Sequence, residues 1–216
     1  MTAIRFDATT HTYADDAGPL VAVSTVLRPL IDFSHLPPHV RDAVLERGRL
    51  VHDAIAADNA RDLDDASFRR ACPQEAPYLD AWRSFRDHRR FVPLVNEHVV
   101  AAPVHRVAGT LDCLGTLDGV GALVDFKTGR PADVAADLQT AAYLALALES
   151  AKAGDVVLAD YFARYPVTKR YAIQLKADGR FVVEAYTNPR DFRDFLLLAA
   201  AHHLIAGRRP ARAEAA

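Results

Sequence analysis

From Gly109 to Gly129 the sequence reads GTLDCLGTLDGVGALVDFKTG. Its apolar alternation and its turn at Asp118-Gly119-Val120-Gly121 predict two antiparallel strands. Asp112, Asp125 and Lys127 nevertheless put charge at positions that the alternation points inward. An unpartnered buried carboxylate or ammonium costs several kcal/mol. Strands with such residues must therefore hold them against one another or against a ligand.

Side chains two apart on a strand share a face, so Asp125 and Lys127 point together while Phe126 points away. If residue numbers paired across the turn sum to an odd number, Asp112 joins that face, whereas a slip of one residue sends it to the other. In the first register two carboxylates and an ammonium come within roughly 5–8 Å of one another. Like charges so close repel unless a cation offsets them. Oxygen-only ligation favours Mg²⁺ or Mn²⁺, with the backbone carbonyl of Phe126 available as a further ligand. A lysine beside such a site can orient a water and stabilise phosphate charge; burial lowers its pKa and acids hold it up, and the sequence leaves that choice open. The chemistry implied is phosphodiester hydrolysis.

Composition narrows the classes. The chain has 216 residues, half of them hydrophobic, which suits one well-filled core, so a single domain over 1–207 is expected, with 208–216 a flexible tail. With 26 basic and 28 acidic residues the net charge is −2, so any nucleic-acid binding must come from a local patch. Two cysteines, Cys72 and Cys113, are too few to ligate an iron–sulfur cluster. No signal-peptide core or membrane-length apolar run appears, and a cytoplasmic protein is expected.

Along the chain, a turn at Asp16-Ala17-Gly18-Pro19 predicts an N-terminal β-hairpin, followed by a helix capped by Ser24 or Thr25. Val40, Val44, Val51 and Ile55 predict a helix from Pro38 to Ala57, with Gly48 suggesting close packing or a bend. A helix over Pro77–Phe91 presents Arg83, Arg86, Arg89 and Arg90. Strand patterns then run from Leu94 to Lys127, a helix covers Asp133–Ala153, and strands follow near Val156–Arg164, Lys169–Lys176 and Arg180–Tyr186. A final helix opens at Asn188 or Asp191. The expected fold is α/β, a central mixed β-sheet flanked by helices with an αβββαβ core.

The motifs Gly109-Thr110-Leu111-Asp112, Asp125-Phe126-Lys127-Thr128-Gly129 and Gln139 with Tyr143 resemble those of the PD-(D/E)xK nuclease superfamily. Gly48-Arg49-Leu50-Val51-His52 is similar to an upstream G-x-x-x-H helix, which points to the RecB-like and phage-exonuclease branch. The resemblance implies that Asp112 and Asp125 ligate metal, that Lys127 handles the water, and that His52 is a further ligand. It implies that Gln139 and Tyr143 brace the site or touch the nucleic-acid backbone, and it puts Glu97 where similar nucleases often have an acid. Arg86, Arg90, Arg106 and Arg130 are candidate phosphate contacts.

The function so implied is a Mg²⁺- or Mn²⁺-dependent exonuclease, with two ions as cofactor, acting on linear double- or single-stranded DNA in recombination, repair or phage DNA processing. No ATP-binding loop accompanies it. A recombination partner protein and an oligomer are compatible with this reading. The alternatives are a structure-selective endonuclease and a non-catalytic nucleic-acid-binding subunit.

Overall fold

A computed structural model describes residues 4–31, 34, 36–129, 133–166 and 168–207. The chain opens with three antiparallel strands, β1 (Arg5–Asp7), β2 (Thr12–Asp15) and β3 (Gly18–Ala22). The expected hairpin is β2–β3: Asp15 pairs with Gly18, and the Asp15 carboxylate accepts the Ala17 N–H inside the turn. Its tip is stapled by Arg106, which donates to Asp15 and to the carbonyls of Gly18 and Pro19. Helix α1 (Val23–Leu27) follows directly. Neither Ser24 nor Thr25 caps it, a correction to the sequence expectation: the cap position is Ala22, with no side-chain bond, and the helix is fixed by burying Val23, Val26 and Leu27.

Helix α2 (Pro38–Ala60) starts with proline at its first position, where no N–H is needed, and ends at Arg61 in a left-handed conformation. A Cβ added at Gly48 would meet only Thr128 Oγ1 at 3.9 Å, so close packing does not explain that glycine. Short helix α3 (Asp65–Ala71) is capped by Asp64, which accepts the Ser67 N–H. Helix α4 (Ala76–His88) buries Tyr78, Leu79, Trp82 and Phe85.

Three long strands follow: β4 (Phe91–Ala102), β5 (Val107–Leu117) and β6 (Val120–Lys127). The β5–β6 hairpin closes on two residues, Asp118 and Gly119, at φ +51° and +80°, the left-handed pair a primed turn requires. Helix α5 (Asp133–Lys152) leads to α6 (Val156–Arg164), then to β7 (Thr168–Leu175), β8 (Phe181–Tyr186) and α7 (Asp191–Gly207). Residues 156–164 are thus helical, not the expected strand. Asp155 accepts the N–H groups of Val157 and Leu158 as N-cap, and Leu158, Tyr161, Phe162 and Tyr165 recur at helical spacing against the core.

The strands form one mixed sheet, with β6 and β7 parallel and helices on both faces. Leu114 and Leu123 face a layer containing Tyr143, Leu146 and Phe195, while Cys113, Val124 and Phe126 face Trp82 and Phe85. One irregularity positions everything that follows. Strand β4 lines one edge of β5 throughout. The other edge is shared: β3 takes Val107 and Ala108, and β6 takes Cys113 to Leu117. Among the described residues, 109–112 have no strand partner on that edge, so the sheet forks there.

Candidate active site

Asp112 lies at the fork. The β5–β6 register pairs Leu117 with Val120 and Cys113 with Val124, so its continuation sets Asp112 opposite Asp125. Instead of a backbone ladder bond, the Phe126 N–H donates to Asp112 Oδ2 at 2.6 Å. Asp125 is 1% exposed, and neither of its oxygens accepts a hydrogen bond. The Lys127 ammonium lies 2.6 Å from Asp125 Oδ2 as an ion pair, outside hydrogen-bond geometry. It donates instead to Gln139 Oε1 at 2.9 Å, and Gln139 Nε2 donates to the Tyr143 hydroxyl at 3.4 Å. Four residues apart, Gln139 and Tyr143 share one face of α5. Gly109 belongs to this chain of contacts too, because a Cβ there would stand 2.7 Å from Tyr143 Cε1.

His52 reaches in from α2. Its Nε2 lies 3.2 Å from the Phe126 carbonyl, and its Nδ1 lies 3.6 Å from both Asp112 Oδ1 and Glu97 Oε1. The carbonyl named as a possible ligand therefore also orients the imidazole, leaving Nδ1 directed at the acids. Glu97 sits in β4 between Asn96, paired with Cys113, and His98, paired with Leu111, which places it opposite Asp112. Its φ is +44°, a left-handed conformation inside a strand that costs about 1–3 kcal/mol and persists only where neighbours enforce it. One such neighbour is the Asn96 side chain, which accepts from Asn59 at 2.7 Å; Asn59 in turn accepts from Trp82 Nε1 at 3.0 Å.

The electrostatics are dominated by crowded acids. Burial, with the charges of Asp125 and Glu97, pushes Asp112 up to about 7 against the opposing pull of His52. Burial opposes charge on His52, but Asp112, Glu97 and Asp125 outweigh it and lift its pKa to about 9. Burial likewise opposes charge on Lys127, and Asp125 and Asp112 override it, so its pKa is raised and the ammonium is retained. Burial raises Tyr143 well above the ordinary phenol, so its hydroxyl stays protonated.

These residues fit a divalent cation. His52, Glu97 and Asp112 each offer a ligand atom within 4.8 Å of the others, and Asp125 adds two buried oxygens, Oδ1 without a hydrogen bond and Oδ2 held by the Lys127 ion pair. One imidazole nitrogen among carboxylate oxygens suits a hard or borderline divalent ion. His52 and Glu97, with Lys127, line a cleft of about 1090 Å³ whose walls also include Gly48, Thr110 and Thr128.

The arginines lie elsewhere. Arg86 donates to Asp58 and Asn59, and Arg83 to Asp58 and Asp65, tying α4 to its neighbours. Arg106 staples the N-terminal hairpin, and Arg90 is exposed at φ +46° beyond α4. None of Arg86, Arg90 and Arg106 lines the cleft. Arg130 and the tail 208–216 lie outside the described residues. Sequence reasoning missed Asn59, Asn96 and the Tyr13 hydroxyl, which sits 2.9 Å from Thr110 Oγ1, because each acts only through a tertiary partner. No helix among the described residues is long and apolar enough to cross a membrane.

No curated protein matches the chain significantly. A solved structure titled "Crystal structure of SSO0001" is similar at 14% identity over 76% of this chain and 77% of that one, with a TM-score of 0.34. Residues 25–215 match the family described as the PD-(D/E)XK nuclease superfamily. Nearly the full length is covered, and the chain belongs to the PD-(D/E)XK nuclease superfamily.

Proposed function

We propose that the chain is a divalent-metal-dependent deoxyribonuclease of the RecB-like and phage-exonuclease branch, degrading linear DNA from an end in recombination, repair or phage DNA processing. The observation that carries the reading is the meeting, at the β5 fork, of Asp112 and Asp125 with the Lys127 ammonium, beside His52 and Glu97. Mg²⁺ or Mn²⁺ would be held by His52, Glu97, Asp112 and Asp125, and when bound it supplies Lewis-acid polarisation of a phosphoryl oxygen and acidifies water.

In the reaction a water oxygen adds to phosphorus as its proton passes to bulk solvent, and the bond to the leaving sugar oxygen breaks, that oxygen taking a proton from solvent. Lys127 stays protonated beside Asp125, so it serves as a hydrogen-bond donor and positive charge toward the water and the phosphate rather than as the base. Gln139 accepts from Lys127 and fixes where the ammonium points. Tyr143 accepts from Gln139 and fixes the amide in turn. Asp112, tied to the Phe126 N–H, cannot swing away from the fork.

The test is incubation of linear duplex, linear single-stranded and closed circular DNA with Mg²⁺ or Mn²⁺. Loss of linear substrate with intact circles is expected. Cleavage of circles would make the enzyme an endonuclease, and binding without cleavage would defeat the catalytic reading.

A further inference from the structure

Along the wall of the cleft stands a small aromatic assembly from the N-terminal strands. Phe6 of β1 stacks on Tyr13 of β2, with ring centroids 4.9 Å apart and planes 21° apart. His11, in the intervening turn, meets Phe6 edge-on at 5.3 Å and Tyr13 edge-on at 5.6 Å. Tyr13 is 2% exposed, and its hydroxyl is held 2.9 Å from Thr110 Oγ1, two residues before Asp112. Phe6 is 37% exposed and lines the cleft together with His11 and Thr110. One face of the Phe6 ring thus rests on a fixed support, and the residue still presents surface to the space leading to the candidate centre.

The rest of the lining suits bases better than phosphates. Ile31, Leu36, Val44 and Leu45 add apolar wall. Among the described residues lining the cleft, Arg49 is the permanent cation outside the candidate centre, and it is already paired with Glu46 and Asp53, while Lys127, which faces Asp125, belongs to the centre itself. Duplex DNA is gripped chiefly through phosphate charge, whereas an unpaired strand presents π faces that aromatic side chains stack upon. An apolar cleft with a supported aromatic ring and its cations engaged matches the second substrate.

Resting on the nuclease reading above, we propose that this cleft receives unpaired bases of a DNA strand, with the Phe6 ring as the stacking platform and His11 as its flank. The substrate class is then single-stranded DNA or a frayed or overhanging end, and the paired part of a duplex stays outside the cleft.

The experiment is fluorescence anisotropy in EDTA, where no cleavage occurs, with three labelled 12-nucleotide probes: a single strand, the blunt duplex of the same sequence, and an abasic strand with the same phosphates. The single strand should bind at least ten-fold tighter than either other probe. Phe6→Ala should weaken single-strand binding about 5- to 150-fold, the range for losing one stacked base, and leave duplex binding unchanged. Phe6→Leu, which keeps apolar contact with Tyr13 but has no π face, should weaken it similarly, and Phe6→Trp should restore it. Circular dichroism confirms that each variant is folded, and Phe6→Leu carries the test if Phe6→Ala is not. Equal binding of single strand and abasic strand, or wild-type affinity in folded Phe6→Leu, overturns the proposal. If the protein cuts duplex DNA while the Phe6 variants bind normally, only this inference fails. If no probe binds and no DNA is cut with either metal, the nuclease reading fails with it.

Discussion

Gly109→Ala tests whether the braces behind Lys127 act as one unit. The new Cβ would sit 2.7 Å from Tyr143 Cε1 and 3.4 Å from Val23 Cγ2. Reaching the lower end of ordinary contact, about 3.4 Å, requires the Tyr143 ring or strand β5 to yield by about 0.7 Å, and the ring is only 6% exposed in a close-packed interior. Overpacking of this kind costs about 1–3 kcal/mol, against which alanine recovers about 0.5–1 kcal/mol of strand entropy. A net loss centred on about 1 kcal/mol and reaching about 2.5 kcal/mol is expected, read as a lower urea midpoint with unchanged slope. The functional effect should be larger than the loss of stability, because Tyr143 positions Gln139 and Gln139 positions Lys127. A displacement approaching 1 Å at a reacting group can cost on the order of 10²-fold in turnover. Tyr143→Leu removes the clashing ring, so Gly109→Ala added to it should cost less than in the wild type, a favourable coupling in a double-mutant cycle. Wild-type stability and turnover in Gly109→Ala, or strict additivity of the two substitutions, would refute the contact chain.

The Asp125→Asn protein should remain folded and lose at least about 10²-fold in turnover, measured on labelled DNA with circular dichroism as the folding control. Asn59→Ala should cost about 1–3 kcal/mol, because it strands the buried Trp82 N–H and the Asn96 amide, and should weaken Mn²⁺ binding by loosening the strand beneath Glu97; calorimetry reads both. In EDTA the melting temperature should fall from pH 6 to pH 9. His52 is raised to about 9, so its contribution is full below its ordinary 6.5 and lost as pH passes 9, and Asp112, raised to about 7, adds an ionisation penalty as pH climbs toward that value. Added Mn²⁺ should reverse the slope, since ligation requires the deprotonated groups, and His52→Gln should flatten the fall in EDTA.

The strands of the candidate site were legible because their period is two and their turn is short. Their register stayed open between two alternatives in the sequence, and the two-residue primed turn at Asp118-Gly119 decides it by setting Asp112 opposite Asp125. The spacing of Gln139 and Tyr143 was legible for the same local reason. Helix α6 was misread because Val156 and Val157 favour a strand, while the deciding signals were the Asp155 cap and the 158–161–162–165 repeat. Nothing in Asn96-Glu97-His98 announces a left-handed residue, since that conformation is imposed by packing across β5 and by Asn59. The partners of the arginine helix were not legible because a charge shows its partner only in three dimensions: Arg83 and Arg86 meet Asp58, more than twenty residues away. The glycine of the 48–52 motif lies against the cleft wall, and its neighbours give no steric reason for it.

The proposed chemistry needs one centre in which acids from three strands and an imidazole from α2 would share a divalent ion. Anomalous diffraction at the manganese edge, from crystals soaked in Mn²⁺, locates that ion directly. A peak within coordination distance of the Asp112 and Asp125 carboxylates, lost in Asp112→Asn crystals, is the predicted result. Crystals saturated with Mn²⁺ that show no peak between those carboxylates, or an undiminished peak in Asp112→Asn, would contradict it.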